Sequence, residues 1–345
     1  MRGSSGIRGV VLLALTALSA RAARPQQAPY HVVARIPVGG EGGWDYLTVD
    51  PISRRLFLSR STHVLVVDID RDSVMGDIPN TPGVHGIALA PELGRGFTSN
   101  GRDSTVTVFN LKTLATVSTV AVTGRNPDAI LYDPASRRVF TFNGGSANAT
   151  ALDARTGSVL GTLDLGGRPE FAVADGRGRV YVNLEDKNSV VVFDARTLGV
   201  EARWPLAPCE APTGMALDRQ RRRLFVGCDN QLMAVLDADR GRVVATLPIG
   251  RGVDATAFDS ATQLAFSSNG EGTVTVVHEE SPDSFRVVQN VATQRGARTM
   301  ALDERTHRIF LVTAEFGPAP APTAERPRPR PPILPGSVVV LVLGR

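Results

Sequence analysis

An aspartate that ends a short apolar run returns through this chain at Asp50, Asp133, Asp175, Asp218, Asp259 and Asp303, with Ala90-Pro91 standing in the second place. The spacings are 40, 43, 42, 43, 41 and 44 residues, which makes seven units. Each unit reads as four short strands, and no helical period is sustained after the first twenty or so residues. That combination predicts an all-β fold, a seven-bladed β-propeller of four-stranded antiparallel blades. A β-helix would repeat at a far shorter period.

The first strand of a unit, as at 47–49 or 215–217, is apolar on both sides and therefore covered on both faces. Small residues recur along it (Gly86 and Ala88, Gly214 and Ala216, Ala255 and Ala257), as the crowded inner end of a tapering blade requires. An Asp-Pro or Asp-x turn follows, its carboxylate able to accept from backbone amides two residues on. The second strand comes next (56–58, 139–141, 180–182, 224–226, 309–311), then a β-branched third strand (64–67, 105–108, 190–192, 273–277). Residues 337–343 match a third strand with no fourth behind it, while 31–38 match a fourth strand ahead of the first unit. The N-terminal strand is thus expected to complete the last blade, closing the ring and removing its exposed edges.

At this level the chain resembles the YVTN-type propeller repeat of the YncE-like proteins, which are mostly exported bacterial proteins. The resemblance is carried by Val180-Tyr181-Val182-Asn183, Phe140-Thr141-Phe142-Asn143, Phe97-Thr98-Ser99-Asn100 and Phe266-Ser267-Ser268-Asn269, each followed by a β-branched strand. It spans about residues 30–345 and implies a fold rather than a reaction, because these are scaffold positions. The paired Gly-His and Trp-Asp marks of WD40 blades and the double Gly of kelch blades do not recur.

Residues 1–22 have the build of a secretory signal: Arg2 and Arg8, an apolar stretch from Val10 to Leu18, then Ala20-Arg21-Ala22. The apolar stretch is too short to span a bilayer, so export to the periplasm or medium is expected, with 23–29 a flexible leader. Loss of Arg2, Arg8 and Arg21 would lower the net charge from +4 to +1. That balance, with few aromatics among the basic turns, argues against nucleic acid as a partner. In an oxidising compartment the two cysteines, Cys209 and Cys228, are expected to pair, the alternative being two buried thiols.

A propeller gathers the loops entering each first strand on one face, over the central channel. Five residues before each turn position stand Asp45, His85, Asp128, Glu170, Thr213, Asp254 and Arg298. Asp45, His85, Asp128, Glu170 and Asp254 could hold a divalent cation such as Ca²⁺, or act as general acid and base. The plainer alternative is that each caps its own turn. Arg125, Arg168, Arg251, Arg295 and Arg298 occupy the same loops, so an acid–arginine network or an anionic ligand is a further alternative. Asn100, Asn143, Asn183 and Asn269 end second strands on this face and offer neutral oxygens, or else a turn conformation. The Arg-rich turns of the opposite face (Arg54, Arg137, Arg138, Arg222) should tie neighbouring blades to the turn aspartates. A Pro-rich insertion, 317–336, lies between the second and third strands of the last unit and could lid the channel, dock a partner, or do neither.

No nucleophile elbow, phosphate loop, zinc signature or haem motif is present. The expected function is a monomeric, non-catalytic exported propeller that binds a small molecule or protein on its entry-loop face. The alternatives are a metal-dependent hydrolase or lyase of the lactonase-like kind, and a propeller subunit of a periplasmic redox enzyme; both rest on fold analogy.

Overall fold

The computed structural model describes residues 28–323 and 329–345, with Met1 and Gly3. The predicted signal and most of the leader lie outside the described residues. Seven four-stranded antiparallel sheets follow one another along the chain. Blade one runs through Leu47–Asp50, Arg55–Arg60, His63–Asp68 and Ser73–Ile78. Blades two to seven begin at Val84–Ala90, Pro127–Asp133, Pro169–Ala174, Pro212–Asp218, Val253–Asp259 and Met300–Asp303. Each first strand packs beside the next, and that of blade seven beside that of blade one, so the ring is closed.

Blade seven is composite. Its first three strands, Met300–Asp303, Arg308–Thr313 and Val339–Gly344, come from the C-terminal part, and His31–Pro37 supplies the fourth, antiparallel to Val339–Gly344. The expected closure by the N-terminal strand is what forms. Among the described residues the only helices are the 3-10 turns Pro91–Leu93 and Glu185–Lys187, and none is long and apolar enough to cross a membrane.

The repeated aspartates build the turns. Asp50 accepts from the amides of Ile52 and Ser53, Asp133 from Ala135 and Ser136, and Asp259 from Ala261 and Thr262. They also anchor the next blade. Arg54 of blade one reaches Asp303 of blade seven at 2.6 Å, and Arg222 of blade five reaches Asp175 of blade four at 3.3 Å. His307 of blade seven meets Asp259 of blade six at 2.7 Å. The Arg-rich face is therefore a set of inter-blade ties.

Between the blades lie second-strand aromatics: Phe140 meets Phe193 edge-on at 5.4 Å, and Phe225 stacks on Phe258 at 5.0 Å. Each such buried ring contributes on the order of 2–3 kcal/mol of transfer free energy. Near the axis the inner strands pass so closely that a Cβ on Gly214 would lie 2.4 Å from the backbone nitrogen of Thr256. The small residues of the first strands are a steric requirement of that approach.

Candidate binding site at the channel mouth

The residues five before each turn position do converge, and strand irregularity is the reason. In blades two to six the pairing of the first strand with the second slips at its entry, between Val84 and Ile87, Pro127 and Ile130, Pro169 and Ala172, Pro212 and Met215, and Val253 and Ala255. His85, Asp128, Glu170, Thr213 and Asp254 sit in these slips. A bulge re-aims a side chain off the sheet face, here towards the axis. The preceding blade then holds the backbone of the site residue: Ser99 donates to the Asp128 carbonyl, Asn183 to that of Thr213 at 2.7 Å, and Ser268 to that of Arg298.

Tyr46 forms the floor. It belongs to blade one, yet its hydroxyl donates to the Glu170 carbonyl of blade four at 3.0 Å, and its ring stacks on Phe171 at 5.6 Å. The channel is thereby blocked just beneath the ring of charges, and the mouth is a cup. Burial pushes the Tyr46 phenol well above its ordinary range, with Asp128, Glu170, Asp45 and Asp254 adding to it.

The cup is rich in acid and poor in counter-charge. His85 Nδ1 lies 2.6 Å from Asp45 Oδ2 and 3.6 Å from Asp128 Oδ1. Burial opposes charge on this imidazole, but the bond from Asp45 and the field of Asp128 outweigh it and raise its pKa. Burial pushes Asp128 up to about 6, against the field of His85 and with that of Asp45. Glu170 rises to about 8, by burial and then by repulsion from Asp128 and Glu185. Asp254 rises to about 7 by burial, although Arg298 stands 3.5 Å away. One Glu170 oxygen, Oε2, is buried without a hydrogen-bond donor; Arg168 stops 3.9 Å from it and bonds Glu185 instead, at 3.0 Å.

Three of the five residues proposed as metal ligands gather closely: donor atoms of Asp45, His85 and Asp128 all lie within 4.8 Å of one another. Glu170 and Asp254 stand outside that group. Two carboxylates and a ring nitrogen are a poor fit for Ca²⁺, which takes six to eight oxygens, and suit a borderline transition metal better. The ring nitrogen must first give up the proton shared with Asp45.

Other predicted site residues lie apart. Arg125 bonds the Gly145 carbonyl at 3.0 Å, and Arg251 pairs with Glu271 at 3.2 Å on the exposed rim. Asn143 is fully buried and ties its own blade, donating to Asn148 at 2.8 Å and Thr150 at 3.1 Å while accepting from Thr141 at 3.0 Å. Asn100 and Asn269 repeat that pattern, so these amides neither face a ligand nor adopt a turn. Cys209 and Cys228 form a disulfide across 19 residues, with Cα atoms 5.5 Å apart, in the entry region of blade five.

The described parts of the Pro-rich insertion border the cup. Its base is a short antiparallel pairing in which Gly317 bonds Pro332 at 2.9 Å and Leu334 bonds Glu315 at 2.9 Å. Arg330 stands close enough to act on Asp254. Beside Arg330 is a cavity of about 360 Å³ lined by Trp44, Arg295, Arg298, Phe316, Arg330 and Ile333, among others. Of these residues and Tyr46, the sequence points to Arg295 and Arg298 individually and to Arg330 and Ile333 only as part of the Pro-rich insertion 317–336. Trp44 has no aromatic counterpart in the other units and Tyr46 has one, Phe171, so the period carried little signal for them beyond their adjacency to Asp45.

Solved structures confirm the architecture. A chain of a structure titled Crystal Structure of Mitotic Checkpoint Complex superposes with a TM-score of 0.72 at 14% identity, covering 88% of this chain and 95% of that one. Structures titled Structure of U3-55K and Crystal structure of RRP9 WD40 repeats each give 0.74 at 11% identity, covering 90% and 91% of this chain and 98% and 97% of theirs. No protein-family model and no curated protein matches the sequence. At identities this low the likeness shows the β-propeller fold alone.

Proposed function

We propose that this chain is an exported propeller of the YVTN, YncE-like kind that serves, as a monomer, as a non-catalytic binding scaffold. Its channel mouth takes a cationic group of a small molecule or protein partner. The observation that carries this reading is the buried, donor-less Oε2 of Glu170, which Arg168 approaches no nearer than 3.9 Å. Buried carboxylates in this state gain most from a cation that can be desolvated with them. The disulfide between Cys209 and Cys228 supports export, since such bonds persist in oxidising compartments. One structural neighbour belongs to a complex by its title, which is in keeping with a partner-binding propeller. A mouth of carboxylates repels nucleic acid.

Calorimetric titration with a short Lys-rich peptide tests the reading. Wild-type protein should bind it, more tightly at pH 9 than at pH 5 as the carboxyls ionise, and the Glu170→Gln, Asp254→Asn variant should bind at least tenfold more weakly. Absence of binding to the wild type, or equal binding by the variant, would sink it.

The metal-dependent hydrolase reading keeps one observation in its favour, the Asp45, His85, Asp128 group. Elemental analysis after dialysis against Mn²⁺, Zn²⁺ or Ca²⁺ decides it. Uptake of one ion that is lost in Asp128→Asn and in His85→Gln is required, and no uptake removes it.

A further inference from the structure

The cavity beside Arg330 has the opposite character to the cup next to it. Three guanidiniums, Arg295, Arg298 and Arg330, line it together with two aromatic rings, Trp44 and Phe316, whose centroids are 6.2 Å apart at 51°. Arg298 is ion-paired to Asp254 at 3.5 Å and Arg330 acts on the same carboxylate from beyond ion-pair distance, while among the described residues the Arg295 and Arg330 side chains carry no hydrogen bond or ion pair. Like charges around one cavity repel unless an anion sits between them, and guanidinium is the side chain suited to grip a carboxylate through paired hydrogen bonds.

The aromatic wall is built, too. Gly296, at φ +85°, leaves room for Phe316, since a Cβ there would meet the ring at 2.8 Å. Phe316 is then held by its pairing with Ile333. The backbone carbonyl of Arg295 accepts from Thr313 at 2.8 Å, which fixes the loop that presents the Arg295 guanidinium. About 360 Å³ lies at the small end of small-molecule sites.

The geometry points to a second subsite, for a small aromatic carboxylate, with its ring against Trp44 and Phe316 and its carboxylate between Arg295 and Arg330. This goes beyond the cation reading of the cup, and either can fail without the other. A free aromatic acid and the C-terminus of a peptide ending in Phe share this chemistry; the cavity's size favours the free acid.

Calorimetry with three probes tests the subsite: phenylacetate, its neutral isostere phenylacetamide, and acetate, which lacks the ring. Phenylacetate should bind at least tenfold more tightly than either of the others. Arg295→Gln, Arg330→Gln should raise its Kd at least tenfold and leave phenylacetamide unchanged; both side chains are exposed, so the fold should be kept. Trp44→Leu should weaken phenylacetate and phenylacetamide alike. A peptide ending in Phe is the comparison arm, expected to bind more weakly than the free acid. Equal affinity for phenylacetate and phenylacetamide, no binding of phenylacetate, unchanged binding in the double arginine variant, or tighter binding of the peptide would each overturn the assignment. Glu170→Gln should not alter phenylacetate affinity, which separates this test from that of the cup.

Discussion

The hydroxyl of Tyr46 donates to the backbone carbonyl of Glu170 at 3.0 Å, joining blade one to blade four across the axis of the ring. Blade four contributes the one other large side chain at this position, Phe171, on which Tyr46 stacks; the remaining equivalents are Gly86, Ala129, Gly214, Ala255 and Thr299. Tyr46, stacked on Phe171, therefore decides whether the charged mouth opens into a pore or ends on a floor.

Removing that floor should change titration as well as stability. Tyr46→Ala is expected to cost about 3 kcal/mol, as for other large aromatic truncations. Water entering from below should bring the Glu170 and Asp254 carboxyls back towards their ordinary range. Tyr46→Phe keeps the ring, loses about 1 kcal/mol with the hydrogen bond, and should leave both titrations in place. Carboxyl NMR titration reads this directly; a Glu170 midpoint that stays near 8 in Tyr46→Ala refutes the role of the floor.

The raised carboxyls give stability a definite slope with pH. Glu170 titrates at about 8 in the folded protein, against roughly 4.3 in an unfolded chain. Between those values the folded state holds more protons, so this group's contribution falls as pH rises from about 4 to 8. Glu170→Gln removes the titration. The variant should match wild type at pH 4 and exceed it by about 2 kcal/mol at pH 9, allowing for partial solvent access. Urea unfolding at the two pH values measures the difference.

At the seam the direction reverses. The side chain of Asp303 is fully buried, and although burial favours its neutral form, Thr306 and Arg54 outweigh this and hold its pKa down. Its contribution is present above the unfolded value of about 3.9 and is lost in acid. Arg54→Ala strands that carboxylate and should cost about 3 kcal/mol at pH 7. The gap to wild type should close towards pH 2, and Asp303→Asn in the same chain should recover part of the loss. Arg54→Lys should not restore stability, because an ammonium cannot fork to Asp70 and Asp303 together.

The disulfide closes a loop of 19 residues, for which chain entropy predicts about 3 kcal/mol of stabilisation. Thermal unfolding with and without reductant should show that loss, and the Cys209→Ser, Cys228→Ser variant should match the reduced protein. A wild type that is insensitive to reductant while its thiols titrate as free removes the bond's role.

Much of the scaffold was legible because one physical need recurs in six of the seven blades. A carboxylate must satisfy the turn amides, so an Asp returns at Asp133, Asp175 and Asp218, and the blades can be counted from it. The site residues were legible for the same reason, being a fixed step from that Asp. What the period could not convey was the unrepeated: Trp44, the stacking of Tyr46 on Phe171 across the ring, and the seating of Phe316 beside Trp44. Asn143 misled for another reason. Its position at a strand end suggested the rim, whereas pleating turns its amide inward to Thr141 and Thr150. The hydroxyl or amide residues two before, five or so after and seven or so after Asn100, Asn143 and Asn269 were the overlooked sign of that inward network.

The composite blade sets the order of assembly. Six blades are meanders of neighbouring hairpins and can form from local contacts, but the pairing of His31 with Gly344 brings together positions at opposite ends of the propeller sequence. Contacts of such separation carry the largest loop-closure entropy and form late. Interactions absent from the folding transition state act on the rate of opening more than on the rate of folding. The strand His31–Pro37 is therefore a kinetic latch: substitutions along it should shorten the lifetime of the closed ring while leaving the speed at which the ring first forms nearly untouched.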